Sequence, residues 1–373
     1  MKIVYISKSI IPSRTANSIH VMKMCQALAD NKHNVTLLAP NLKHLYEDKV
    51  DDVYDFYGVK KNFKIIKLWH PDSKIGAFIY TISIFLYLLV NKKFNLVYGR
   101  FLHGCYISSL FKNKVIFEIH SPIYNLKGHR LIVFKKLIKK KRFKKLVVIS
   151  KALKEMYLES GCLNNQKIQV AHDGADEVTD FKTKIDLLGD KKNLKIGYVG
   201  HLYKGRGIEM IFECAKHIKD MTFHVVGGLD SDIEYWKKYS KNLKITNIYF
   251  YGFVSPNQVV NYQNSFDIVL APYSSKVSVF GNKGNTSKFM SPLKIFEYMS
   301  FKKPIIASNL PVLREVLSEK NSILVDPENI NSWINAINDL RVKENRENIA
   351  NTALKDFKNF TWKSRALQII NPT

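Results

Sequence analysis

The sequence predicts a parallel α/β protein of two tandem domains, and three observations carry that expectation. Short apolar runs alternate with amphipathic segments of helix length through both halves, the pattern of strands joined by crossover helices. At 373 residues the chain is too long for one comfortable core. Over residues 181–193 the apolar periodicity gives way to Lys, Asp and a lone Gly189, the composition of a linker. The expected division is 1–182 and 183–355, with 356–373 as a C-terminal helix free to pack back on the first domain.

Element by element, residues 3–6 (IVYI) form a first buried strand, since the apolar run around them is too short for a signal peptide. A loop over 7–17 leads into a helix at about 18–31. Residues 35–39 and 63–68 are strands. The apolar segment 75–90 is a helix, short of the ~20 residues needed to cross a bilayer; it suits a membrane surface, or plain core, the commoner outcome for such residues. Strands follow at 96–98, 115–119 and 146–149, then a helix from Lys151 that Gly161 can stop. After the linker come strand 195–199, helix 207–218, strands 222–226, 248–251 and 268–270, and a long loop over 273–291. Helix 292–300, strand 304–307 and a helical tail from residue 330 complete the chain. Open α/β domains bind ligands at the carboxyl ends of their strands, so two in tandem are expected to form a cleft lined by those loops.

A formal charge of +26 attracts polyanions, whether nucleic acid, anionic lipid or phosphorylated substrate. The 46% hydrophobic content excludes a disordered chain. Cys25, Cys105, Cys162 and Cys214 stand too far apart for a zinc motif or a disulfide scaffold, which points to a reducing compartment. With no helix-turn-helix, zinc finger or RNA-recognition signature, nucleic acid is not an expected partner. The 19 Tyr and 22 Phe read as core, and His33 and His44 as surface residues.

Two segments suit phosphate chemistry. Gly197 to Ile208 (GYVGHLYKGRGI) reads as a strand, a glycine-rich loop and a helix start, where free N–H groups and Lys204 and Arg206 would face an anion. An ordinary turn with solvated cations has the same spacing. In Ser291 to Ser300 (SPLKIFEYMS), Pro292 suits a first helical turn, and Lys294 and Glu297 share one face as either a surface pair or a functional pair. A third segment, Arg130 to Lys145, places Leu131, Phe134, Leu137, Ile138 and Arg142 at helical spacing with lysines opposite, which suits an anionic membrane surface or a solvated face.

These two phosphate-type segments, with Phe250-Tyr251-Gly252 between them, resemble the retaining, GT-B-fold glycosyltransferases of family 4. The resemblance extends to Ala16 through Val21 (ANSIHV), Glu118 through Ser121 (EIHS), Val148 through Leu153 (VISKAL) and Val170 through Asp176 (VAHDGAD). It implies two Rossmann-like domains facing across a cleft, the first for the acceptor and the second for a nucleotide sugar. The family's diphosphate-neutralising Arg and Lys fall on His201 and Arg206, and its second motif glutamate on Glu297, a ribose ligand. Gly200, Lys204, Gly227 and Ile295 complete the implied donor set. His120 matches a histidine beside the reacting carbon, and His120, Lys294 and Arg206 are the implied catalytic side chains. Asn17, Ser18 and His20 belong to the implied acceptor loop. His172 stands where the family has Asn, and reads as shaping a turn.

The sequence departs from the family at Phe289, which replaces the first motif glutamate and leaves Ser287, Lys288 or Ser291 to meet the sugar. It departs again at His201, where a histidine beside a diphosphate makes donor binding pH-sensitive. The implied reaction moves a sugar from a nucleoside diphosphate to an acceptor hydroxyl with its anomeric configuration retained. Only Glu297 is placed among the carboxylates, so front-face attack is expected, a leaving phosphate oxygen helping to remove the acceptor proton. No metal or other cofactor is expected, protein cations taking that place. The expected partners are a nucleotide sugar, a glycan or lipid-linked acceptor and an anionic membrane surface, in cell-envelope polysaccharide or lipid-linked glycan synthesis at the cytoplasmic face. The rival readings are a nucleic-acid binder, a catalytically silent homologue serving as a binding or assembly subunit, and a nucleotide-sugar epimerase.

Overall fold

A computed structural model describes residues 1–43, 47, 50–179, 181, 183–278 and 284–371; His44 lies outside them. Contacts divide the chain into an N-terminal unit, Met1–Asp173 with Trp362–Thr373, and a C-terminal unit, Gly174–Thr361.

The N-terminal unit runs β1 (Lys2–Ile6), α1 (Ala16–Asp30), β2 (Asn34–Pro40), α2 (Val53–Phe56), β3 (Lys64–Leu68), α3 (Gly76–Val90), β4 (Leu96–Gly99), α4 (Leu102–Ser108), β5 (Lys114–Ile119), α5 (His129–Ile138), β6 (Phe143–Val148), α6 (Lys151–Glu159) and β7 (Ile168–Val170). Its seven strands pair in the order β3-β2-β1-β4-β5-β6-β7, all parallel. The central strands are buried along almost their whole length, as a parallel sheet covered on both faces requires, which is why they read as unbroken apolar runs.

The C-terminal unit runs β8 (Lys195–Val199), α7 (Ile208–His217), β9 (Thr222–Val226), α8 (Asp230–Asn242), β10 (Ile248–Gly252), α9 (Pro256–Ser265), β11 (Ile268–Ala271), α10 (Leu293–Ser300), β12 (Ile305–Ser308), β13 (Ile323–Val325), α11 (Ile330–Asp339) and α12 (Lys343–Phe357). Its six parallel strands lie in the order β10-β9-β8-β11-β12-β13. The core packs Trp333 and Ile337 of α11 and Ile211 and Phe212 of α7 against Ile196, Phe223 and Ile268 of the sheet. The last helix, α13 (Trp362–Ile370), belongs to the N-terminal unit and packs on α1.

Several boundaries differ from the expected ones. Helix α1 begins at Ala16 because the Thr15 hydroxyl caps it, accepting from the Ser18 N–H at 3.3 Å. Helix α10 begins at Leu293, with Pro292 as its cap rather than in its first turn. The basic helix stops at Ile138, and Phe143 is buried as the first residue of β6, so Arg142 is not on the helix. The helical spacing there was a coincidence of a loop and a strand start. Helix α3 matches its expected span but is not plain core: it buries only Gly76, Tyr80, Ile84 and Leu88. Helices α2, α4, α8 and α9 and strands β7 and β13 went unread, being short or carrying few apolar residues. Among the described residues no helix is long and apolar enough to cross a membrane.

Gly197, at the centre of β8, faces Phe266 so closely that a Cβ there would lie 2.1 Å from the ring. Gly197→Ala is expected to destabilise the C-terminal unit by about 1–3 kcal/mol, and Gly197→Ala with Phe266→Leu to recover part of the loss, both measured by chemical denaturation.

Candidate functional site

In the C-terminal unit the winding reverses between β8 and β11, so the loops leaving their carboxyl ends share one edge. The loop after β8, residues 200–207, turns back against the segment after β11: Ser274 and Ser278 donate their N–H groups to the carbonyls of Gly205 and Lys204, both at 3.1 Å. Glycine is required where these chains meet. A Cβ on Gly207 (φ +83°) would lie 1.7 Å from the Pro272 carbonyl oxygen, and one on Gly227 (φ +113°) 2.3 Å from that of Gly200. Gly207 also caps α7 without a side-chain bond, leaving first-turn N–H groups for an anion.

Over this turn lies Lys294 of α10. It is 8% exposed, and its Nζ has no hydrogen-bond partner among the described residues. The amine sits 3.6 Å from the centre of the Tyr198 ring and 5.3 Å from that of Tyr273. A Cβ on Gly200 would be 3.0 Å from it. Burial and then the neighbouring Arg206 charge hold the Lys294 pKa well below the ordinary range, against an opposing pull from Glu297. Arg206 lies 5.6 Å from the centre of the Tyr273 ring, its Nη2 donating to the Ser278 carbonyl at 3.3 Å. Two cations, a glycine turn and a helix start therefore converge where, among the described residues, no carboxylate forms an ion pair with Lys294, an arrangement suited to a multiply charged anion.

The other expected donor residues are placed less uniformly. The His201 ring stacks on Tyr203 with centroids 4.7 Å apart, and its carbonyl accepts from the Tyr198 hydroxyl at 2.7 Å. Lys204 is exposed on the loop. Ile295 is core, and its N–H is bonded to the Pro292 carbonyl at 3.1 Å. Glu297 lies a turn along α10 and accepts from Gln263 at 3.0 Å rather than pairing with Lys294. Tyr198 and Tyr273, which hold the amine, were missed; Tyr198 stands inside the quoted glycine segment and looked like ordinary strand filling.

The N-terminal unit has a second cluster, around Glu118 at the end of β5. Its carboxylate accepts from Tyr98 Oη, from His120 Nε2 at 2.5 Å and from Arg365 Nη2 of α13 at 3.0 Å. His20 of α1 places Nε2 3.0 Å from Glu118 and 3.3 Å from Asp173, and its ring meets those of His120 and Trp362 edge to face. Arg365 also binds the carbonyls of Ala171 and His172. Burial alone would raise Glu118, but Arg365, His20 and the His120 bond together hold it well below the usual carboxylate range. Asp173, which burial would likewise raise, is held low chiefly by His20. Burial and then the Arg100 charge bring His120 down to about 4, outweighing its bond to Glu118. An ionised carboxylate only accepts, so the neutral imidazole carries its proton on Nε2.

Asn17 donates to the Ser9 hydroxyl at 2.6 Å, whereas the Ser18 hydroxyl is buried on the carbonyls of Ser13 and Thr15, a structural position. The structure thus joins His20 and His120, and separates Ser18 from them in role. Glu118, Asp173 and Arg365 were not read as site residues; the first two stand inside quoted motifs, and Arg365 had no local signal. His20, His120 and Asp173 offer ligand atoms within 4.8 Å of one another. A metal fits poorly there, because Arg365 already brings its charge to 4.0 Å from Asp173 and Glu118 holds His120. The four cysteines are free.

Family models match both units: "Glycosyltransferase Family 4" over residues 18–178 and "Glycosyl transferases group 1" over residues 193–341. An uncharacterized glycosyltransferase of Methanocaldococcus jannaschii is 25% identical over 367 residues, covering 86% of this chain and 89% of that one. A putative teichuronic acid biosynthesis glycosyltransferase of Bacillus subtilis is 29% identical over 127 residues, 34% of this chain and 29% of that one. Among solved structures, sucrose-phosphate synthase of Thermosynechococcus elongatus superposes with a TM-score of 0.73 at 17% identity, covering 99% of this chain and 97% of that one. HepE of Anabaena, solved with UDP and glucose, does so with 0.71 at 14%, covering 99% and 98%.

His120 takes its proton near pH 4 when folded and near 6.5 when unfolded. Stability present above pH 6.5 should therefore be lost as pH falls from 6.5 towards 4, by on the order of 2–3 kcal/mol from this residue. Denaturant titrations across that window are expected to show a shallower fall for His120→Gln than for the parent chain.

Proposed function

We propose, for a chain that belongs to glycosyltransferase family 4 and has the GT-B fold, the transfer of a sugar from a nucleoside-diphosphate sugar to an acceptor hydroxyl with retention of anomeric configuration. One observation carries the donor half of this reading: the buried, unpartnered Lys294 amine beside Arg206 and the Gly200 turn. A desolvated cation lacking a counter-ion is unfavourable in the free protein and becomes favourable when an anion arrives. A diphosphate, which gains negative charge as the glycosidic bond breaks, matches that demand in the ground state and more so in the transition state. The UDP in HepE supports the choice of ligand class.

In this reading Lys294, Arg206, His201, Lys204 and the start of α7 stabilise the leaving diphosphate. Gly200 and Gly227 let the backbone approach it, and Glu297 contacts the ribose. The leaving phosphate oxygen takes the acceptor proton during front-face attack. His120, neutral and fixed by Glu118, presents an imidazole to the sugar, with His20 and Asn17 on the acceptor side. Phe289 is buried and offers no acceptor, so sugar hydroxyls are met by Lys288, Ser291 or Ser287. No metal or other cofactor enters this scheme. The teichuronic acid relative supports an acceptor in cell-envelope polysaccharide or lipid-linked glycan synthesis, and the enzyme then works as a peripheral protein at the inner face of the membrane. A silent binding subunit is the second reading, favoured by Phe289 alone.

A panel of uridine and guanosine nucleotide sugars, with and without lipid-linked acceptors, tests this: diphosphate release with a product of retained anomeric configuration, read by NMR, is expected. Release with inversion, or binding without turnover on any donor and acceptor, would overturn it. Arg206→Ala is expected to weaken UDP or GDP binding by roughly 10- to 100-fold. Lys294→Met should weaken it by at least about tenfold while stabilising the free protein by about 1–3 kcal/mol, because it removes a buried, unpaired amine, as calorimetry and denaturation can measure.

A further inference from the structure

Helix α3 contains no charged residue and divides lengthwise into two apolar faces. Tyr80, Ile84 and Leu88 are buried against the unit. Phe78, Ile82, Leu86 and Leu89 point the other way, with Phe78 67% and Leu86 55% exposed. At about 100° per residue these four lie within an arc of about 80°, a single stripe. Trp69, 67% exposed, extends it sideways, its carbonyl accepting from the Ser83 hydroxyl of α3 at 3.1 Å. Val90 closes the stripe at 84% exposure. A contiguous apolar face of this size on an exposed helix marks an interaction surface.

Its surroundings say what covers it. Lys74 precedes the helix and Lys92 and Lys93 follow it, all exposed. From Ser73 to Lys154 the chain has 18 lysines and arginines and one acid, Glu118, whose carboxylate is buried in the ion-pair cluster. Helix α4 packs against both α3 and α5, and α5 adds exposed Arg130, Lys135 and Lys136 on that flank. A surface with an apolar centre, an aromatic edge and flanking cations that outnumber the exposed Asp72 before the helix complements a bilayer with anionic headgroups. Two copies of the chain meeting on this face would bring like charges together.

We propose that α3 seats in the interfacial layer of an anionic membrane, its Phe78–Ile82–Leu86 stripe and Trp69 among the acyl chains and the flanking lysines at the headgroups. At 15 residues the helix is about 22 Å long and lies in the plane of the membrane rather than across it. The proposal rests on the peripheral-membrane part of the reading above and names the surface responsible.

The test uses the full chain and vesicles of equal parts phosphatidylglycerol and phosphatidylcholine, against phosphatidylcholine alone. Flotation with the anionic vesicles is expected, weakening at high salt. The triple variant Phe78→Ser, Ile82→Ser, Leu86→Ser should lower the partition coefficient at least about tenfold. Trp236, Trp333 and Trp362 are buried, so quenching of fluorescence by brominated acyl chains reports Trp69 and should vanish in Trp69→Phe. Equal vesicle binding by the triple variant, no quenching in the parent, or a dimer in sedimentation that the triple variant dissolves would overturn the proposal. UDP binding and transfer to a soluble acceptor, measured on the same variants, separate its failure from failure of the glycosyl-transfer reading.

Discussion

Everything chemical in this protein depends on a constraint of direction. Strands that all run the same way must be joined by crossovers, so within each sheet every strand ends at the same edge and the loops after them leave from it. Glu118 and His120 stand at the end of β5, Asp173 just past β7, the Gly200 turn after β8 and Tyr273 after β11. Glu118 and Asp173, 55 positions apart, are both brought to His20 by ending parallel strands of one sheet.

The two units handle buried charge in opposite ways. In the N-terminal unit the carboxylates of Glu118 and Asp173 are faced by Arg365 and His20. Such a network is rigid, and removing one member leaves a charge uncompensated at a cost of about 3–5 kcal/mol. It fixes the orientation and tautomer of His120 and ties α13, distant in sequence, to α1 and β5. In the C-terminal unit Lys294 is left against two aromatic faces. Cation–π contact offsets part of its desolvation.

The same accounting explains how α3 differs from the other apolar helices. Helices α7 and α11 each bury an apolar face in the C-terminal core and turn a polar one outward. Helix α3 has no polar face to turn, so half its apolar surface stays in water on a flank rich in cations.

The alternation of strands and helices, the glycine turn at Gly200 to Gly207, the Pro292–Lys294–Glu297 helix and the apolar helix at α3 were legible along the chain, because periodicity, backbone conformation and capping are local properties. The motif order around His20, Glu118, His120 and Asp173 was visible too. What no local pattern carried was partnership. Glu297 turns to Gln263, Lys294 lies between Tyr198 and Tyr273, and Arg365 crosses 247 positions to reach Glu118. The basic run to Lys145 likewise looked like one helix until Phe143 was needed in the sheet. Sequence alone determined the strand–helix alternation and the loops that share an edge; tertiary packing decided the short elements, which charges are neutralised and which faces stay exposed, since burial and pairing depend on distances in space rather than along the chain.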